Sequence, residues 1–268
     1  MLKDITLGQY FPGDSVVHRL DPRTKLVLTV VYIASLFTAK YVVSYGLMIL
    51  VLLGCILLSK VGFKAVFRGL KPVFIIIAIT AVLNLFYNTT GTLLVHVGFL
   101  KIYSGGIQMS VLMVLRIMML ICGTFLLTYT TSPIQLTDAI ESLLAPLKKI
   151  RLPIHELAMM MSIALRFIPT LIEETDKIMS AQKARGADFE SGNLLQKAKA
   201  LVPLLVPLFV SAFRRADELA VAMECRCYHG DSGRTRMKKL TYHLRDIIAL
   251  GGGVIVVVAV ILLRINGL

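Results

Sequence analysis

The chain repeatedly runs without a charge for about the length of a bilayer core, and that pattern limits its fold more than any other feature. A helix needs roughly 20 apolar residues to cross about 30 Å of hydrocarbon. Tyr41–Ser59 supplies 19 uncharged residues, and Ile247–Leu263 supplies 17 between Asp246 and Arg264. Pro72–Tyr87 opens an uncharged run that reaches Leu100, interrupted by Asn84, Asn88 and a Thr-Thr-Gly turn. Ile107–Tyr129 has the right length and carries one charge, Arg116. Leu26–Ala39, bracketed by Lys25 and Lys40, has only 14 residues and is the weakest of the five. With 56% hydrophobic and 17% charged residues, there is too little polar surface to coat a domain in water, where about a quarter of residues are charged. An ordinary soluble enzyme is excluded, as are a disordered and a fibrous chain. The expected fold is an all-α polytopic membrane protein with about five spans.

The net charge of +13 would suggest nucleic acid in a soluble chain. Here no basic stripe is interleaved with aromatic residues, so a nucleic-acid partner is not expected. Lys and Arg collect instead in cytoplasmic loops. Residues 1–25 hold four, the 60–71 loop holds four more, and 132–246 holds 17, whereas the alternate segments hold only Lys40 and Lys101. Five spans with the N-terminus inside place every dense cluster on one side. The expected organisation is an N-terminal membrane domain of about four spans over 1–131, a cytoplasmic helical domain over 132–246 and a membrane span over 247–268. Residues 1–25 are polar with three acids, so no cleavable signal peptide is expected. Four cysteines give no disulfide framework, with Cys55 and Cys122 in apolar spans.

Within 132–246 the pattern is helical, broken by Pro146, Pro153, Pro169, Pro203 and Pro207. Residues 155–168 are apolar nearly all round and include Met159, Met160 and Met161, whereas Thr170–Lys183 is amphipathic. A second stretch, about Leu194–Tyr228, repeats the change: Leu201–Phe213 is apolar and Arg214–Glu224 is charged. Each helix has one greasy end and one wet end, which suits a helix that leaves the bilayer and projects a charged tip. Residues 155–168 and 201–213 are short enough to be only partly embedded.

Both tips end alike, in Ala184-Arg185-Gly186 and in Cys225-Arg226-Cys227. Small neighbours leave each guanidinium free to enter a groove and bind a carboxylate with its planar fork. Positive charge is also favoured at any helix C-terminus, so one such arginine would mean little. Two in one chain point to a partner.

His18-Arg-Leu-Asp-Pro-Arg-Thr-Lys25, the Ala184-Arg185-Gly186 tip and Ala222-Met-Glu-Cys-Arg226-Cys-Tyr-His-Gly230 together resemble the transmembrane T component of energy-coupling factor transporters, over nearly the whole chain. The resemblance implies long cytoplasmic coupling helices and a scaffold in a vitamin- or micronutrient-uptake machine of the ABC type. It implies two cytoplasmic ATPases docked on Arg185 and Arg226, and a small membrane S component, dedicated or exchangeable, that carries the substrate. By the same resemblance ATP and Mg belong to the partner ATPases, with no cofactor in this chain. Cys225 and Cys227 stand where Ala and Gly are common in the family, a departure that keeps the flanking residues small. Met is flexible and polarizable, so Met159–Met161 is a candidate surface for the S component.

Other features carry less. Cys225, Cys227 and His229 spell Cys-x-Cys-x-His, too closely spaced for a usual zinc site and without an evident fourth ligand. Glu173, Glu174 and Asp176 read as solvated acids or salt-bridge partners. Arg116 is the only charge inside a span and is read as structural, with Asn84 or backbone carbonyls as its candidate partners. No Gly-x-x-x-x-Gly-Lys-Ser/Thr, His-Glu-x-x-His or Gly-x-Ser-x-Gly stretch is present, so neither ATP hydrolysis nor proteolysis by this chain is expected. The alternatives are an independent secondary transporter, which would show inverted repeats with broken helices, and a membrane-embedded enzyme.

Overall fold

The computed structural model describes residues 10–87, 90–97, 100–150, 153–187, 189, 193–230 and 240–267. In chain order the elements are α1 (Pro22–Thr38), α2 (Val42–Ser59), α3 (Phe63–Leu70), α4 (Phe74–Tyr87), β1 (Leu93–Val97), β2 (Leu100–Tyr103), α5 (Ser104–Thr130), α6 (Pro133–Leu144), α7 (Ile154–Ala184), α8 (Leu194–Cys225) and α9 (Leu244–Ile265). Among the described residues five stretches are long and apolar enough to cross a bilayer: α2, Lys64–Tyr87, α5, α7 and α9. The protein is a helical, multi-pass membrane protein.

This set of five differs from the expected one in a single member. α1 has 17 residues, and Lys25 in its first turn and Lys40 beyond its end bound the uncharged run. α7 replaces it: its first 15 residues, as far as Ile168, include only Glu156 and Arg166 as full charges. A helix apolar enough to span therefore lies inside the segment that charge counting assigns to the cytoplasm. The uncharged run from Pro72 to Leu100 is also divided. α4 stops at Tyr87, and β1 pairs antiparallel with β2 (Val97 opposite Leu100, Leu93 opposite Tyr103) in a hairpin that leads directly into α5.

The chain forms two compact units, one from Gly8–Ala139 with Leu240–Leu268 and one built on Ile140–Lys239, the first boundary falling inside α6. In the first unit α1, α2, α5 and α9 share a core that contains Leu36, Met48, Leu52, Ile56, Met119 and Val260. Lipid tails are as apolar as these side chains, so burial alone does not drive the helices together, and close fit and polar contacts matter more. Gly123 lies under the Tyr32 ring, where an added Cβ would come within 2.6 Å of it, and Gly69 lies just as tightly under the Phe125 ring. Leu50, Leu53 and Leu57 of α2 face outward and exposed, an arrangement that lipid accommodates and water does not.

Arg116 sits at the middle of α5. Its Nε donates to the Tyr45 hydroxyl at 2.8 Å and a terminal nitrogen donates to the Ala39 carbonyl at 3.1 Å. Tyr45 is 2% exposed, and Ala39 is the residue that ends α1. Arg116 thus ties α5 to the α1–α2 turn. Asn84, the other candidate partner, donates instead to Thr80 within its own helix.

A polar clasp closes one end of this unit. Asp21 caps α1 by accepting from the Arg23 amide, with Pro22 supplying the preset φ of the first helical residue. The Asp21 amide itself donates to Asp246 Oδ1 at 2.8 Å, and the His243 amide donates to Asp246 Oδ2 at 2.9 Å. Asp246, 1% exposed, therefore caps α9 and holds the entrance of α1 at once. Lys25, 5% exposed, donates from Nζ to Thr130 O, the last carbonyl of α5, at 2.8 Å and to His18 O, in the turn before α1, at 3.1 Å. Arg23 pairs with Asp21 and lies 4.1 Å from the centre of the Tyr242 ring.

Asp246→Ala strands two amides, of which that of Asp21 is buried and costs about 1–3 kcal/mol when unpaired. The expected result is a fall of the thermal unfolding midpoint in detergent by on the order of 5 °C or more. Asp246→Asn, which keeps one acceptor oxygen, should fall between the two.

Candidate docking site at two helix ends

In the second unit Glu141, near the end of α6, meets the His155 ring at the start of α7 at 2.9 Å. α7 then runs unbroken for 31 residues through Pro169, and α8 for 32 residues through Pro203 and Pro207. A proline inside a helix removes one backbone bond and crowds the preceding turn, so these are the compliant points of both rods. Asn193 and Gln196 form a capping box that fixes the start of α8.

The two helix ends share one geometry. Arg185 ends α7 at φ −87°, ψ 6° and Arg226 ends α8 at φ −94°, ψ 13°. After Arg185, Gly186 N–H bonds Lys183 O at 3.0 Å and Ala187 N–H bonds Gln182 O at 3.0 Å. After Arg226, Cys227 N–H bonds Glu224 O at 2.8 Å and Tyr228 N–H bonds Met223 O at 3.1 Å. Both ends are Schellman motifs, in which the residue after the cap turns left-handed and the chain leaves the axis. Gly186 adopts φ 87° and Cys227 adopts φ 57°.

The small residues around each arginine now have a physical reason. The position after the arginine must be left-handed, which glycine adopts freely and which costs a side-chain-bearing residue about 1–2 kcal/mol. Cys227 carries that strain. Ala184, Arg185, Gly186, Cys225, Arg226 and Cys227 are all exposed. Among the described residues neither guanidinium has a side-chain partner, so two full sets of donors stand at the extreme ends of two helices. Local sequence fixes this geometry, which is why the tips were readable. No group of three His, Cys, Asp or Glu residues able to hold a metal occurs among the described residues.

The structure adds a joint between the helices. Arg215 donates to Glu174 Oε2 at 2.9 Å, placing one member of the Glu173-Glu174-Asp176 acids in a salt bridge. Beside it, Phe167 and Leu171 of α7 share an apolar cleft with Leu219 and with Ala212, Ala216 and Ala220 of α8, the three alanines permitting close approach. Glu174 lies eleven residues before Arg185, and Arg215 lies eleven before Arg226. At 1.5 Å per residue both arms measure about 16 Å from joint to tip.

The apolar parts of both helices remain open to their surroundings. Met160 and Met161 are each 54% exposed and Met159 is half-buried. On α8, Val206, Phe209, Val210 and Phe213 are exposed as well. The sequence reading singled out the methionines and passed over these α8 residues, whose signal was the apolar run Leu201–Phe213.

Comparison with known proteins fits these features. The family described as Cobalt transport protein, CbiQ, matches residues 13–238, which include the α1 entrance and both tips. A protein of Clostridium kluyveri is 58% identical over 266 residues, covering 99% of this chain and 98% of the relative. A Bacillus subtilis protein is 51% identical over 246 residues, 92% of this chain and 93% of the relative. A Ruminiclostridium cellulolyticum protein is 51% identical over 264 residues, 98% of each chain. All three are named energy-coupling factor transporter transmembrane protein EcfT. The chain belongs to the EcfT family, the transmembrane T components of energy-coupling factor transporters.

Proposed function

We propose that this chain is the scaffold that links two cytoplasmic ATPases to a substrate-binding S component and passes ATP-driven motion between them during uptake of a vitamin or other micronutrient. The observation that carries the reading is the pair of matched helix ends, each presenting an arginine with no side-chain partner among the described residues, with the two helices joined by the Glu174–Arg215 salt bridge at equal distance from the tips. One arginine enters an acidic groove in each ATPase. ATP and Mg act in those partners, since this chain has no phosphate-binding loop. The dense basic clusters support a cytoplasmic side for the tips and the N-terminus. Met159, Met160 and Met161, with the exposed α8 aromatics, form the adaptable apolar surface for the S component, dedicated or exchangeable.

Replacing Arg185 and Arg226 together by Glu puts like charge against each groove. Losing one desolvated charge pair costs about 2–5 kcal/mol, so ATPase co-purification in mild detergent should fall at least about thirtyfold. An intact, active complex carrying both substitutions would refute the docking roles.

The joint makes a separable prediction. Glu174→Arg or Arg215→Glu alone should leave the tips bound to the ATPases but reduce uptake in reconstituted vesicles. The exchange Glu174→Arg/Arg215→Glu should restore it in part, as a double-mutant cycle requires of a direct pair. Cys227→Gly removes left-handed strain and should leave docking intact while stabilising the α8 end by about 1 kcal/mol, measured as slower hydrogen exchange at Cys227 and Tyr228.

A further inference from the structure

The first unit holds a cavity of about 590 Å³ between α1, α2, α5 and α9. Its walls are apolar, with Leu28, Leu52, Leu126, Ile248, Gly252 and Val256 prominent. The two cations that line it, Lys25 and Arg245, lie at one end, with the first turns of α1 and α9 and the last residue of α5. At the other end are Ser35, Gly123 and Val256. Ten residues of α1 separate Lys25 from Ser35, and eleven of α9 separate Arg245 from Val256, which gives a depth of about 15–16 Å. That is half of the roughly 30 Å hydrocarbon core, the depth of one leaflet.

We propose that this cavity seats one acyl chain of an anionic phospholipid, with its phosphate held at the Lys25–Arg245 end. The hydroxyls inside the cavity ask for no polar ligand. Thr29 already donates to Lys25 O at 2.8 Å and Ser35 to Val31 O at 2.8 Å. The basic end does ask for an anion. Arg245 is exposed and has no side-chain partner among the described residues, and Lys25 spends two of its three N–H donors on carbonyls. A transmembrane helix from a protein partner would need a groove running the whole thickness of the membrane. A cavity one leaflet deep with two cations at one end matches the length and charge of a single lipid. The proposal goes beyond the docking function and does not depend on it.

Glycine positions on α9 supply the test. A side chain at Gly252, which lines the cavity, meets no atom within 4 Å at its Cβ, and neither does one at Gly251, which does not line it. Gly252→Leu therefore fills the seat, and Gly251→Leu is the matched control. The full chain, purified with whatever partners co-elute, is exchanged into micelles holding equal phosphatidylglycerol and phosphatidylcholine, and retained lipid is read by native mass spectrometry. The wild type and Gly251→Leu should each keep one phospholipid, with phosphatidylglycerol favoured about fivefold, the worth of one basic residue at a membrane surface. Gly252→Leu should lose it. Arg245→Gln should keep a lipid but bring the two headgroups near parity, a readout that stands even if Gly252→Leu folds poorly. Equal retention of both lipids by the wild type, unchanged retention by a folded Gly252→Leu, or a polypeptide in the cavity would overturn the proposal.

Discussion

Asp246 holds the first and the last membrane-associated helices by their entrances, and the first unit closes around that contact. The start of a helix leaves backbone amides without partners inside the helix, and next to hydrocarbon each unpaired amide is expensive. Asp246 answers two of them, one on α9 and one at the cap of α1. Lys25 does the converse for the carbonyl of Thr130 at the end of α5. In a solvent that gives apolar faces little reason to associate, such contacts decide which helix ends meet. Packing under Gly123 and Gly69 then fixes how closely the rods approach.

The sequence was informative wherever the controlling physics was local. Charge-free length located α2 to within one residue and α5 and α9 to within three, and a small-Arg-small pattern located two Schellman ends whose bonds all lie within six residues. It was less informative where partners are distant. The Asp21-Pro22-Arg23 stretch was recognised only as a family likeness, because its acceptor Asp246 lies 225 residues away. Arg116 was read as structural, but Tyr45, 71 residues earlier, was not among its candidate partners. The two-ended character of α7 is legible in the sequence, which leaves residues 155–168 partly embedded, but the five-span count built on charge omits a helix that is long and apolar enough to cross the membrane.

The two helices of the second unit differ in stiffness along their lengths, and the salt bridge marks the change. Pro169 precedes Glu174 by five residues, and Pro207 precedes Arg215 by eight. From the joint to the tips, 175–184 and 216–225 contain neither proline nor glycine. Each arm is therefore an uninterrupted ladder of about 16 Å, and each compliant point lies on the apolar side of the joint. A force on either arginine would reach the joint with little loss and be taken up at the prolines, beside the exposed Met160, Met161, Phe209 and Phe213. A proline placed between joint and tip would absorb the displacement before it reached the other helix. Under the proposed scaffold function, its absence from both arms lets them act as levers, whereas a pair of static anchors would have no such need.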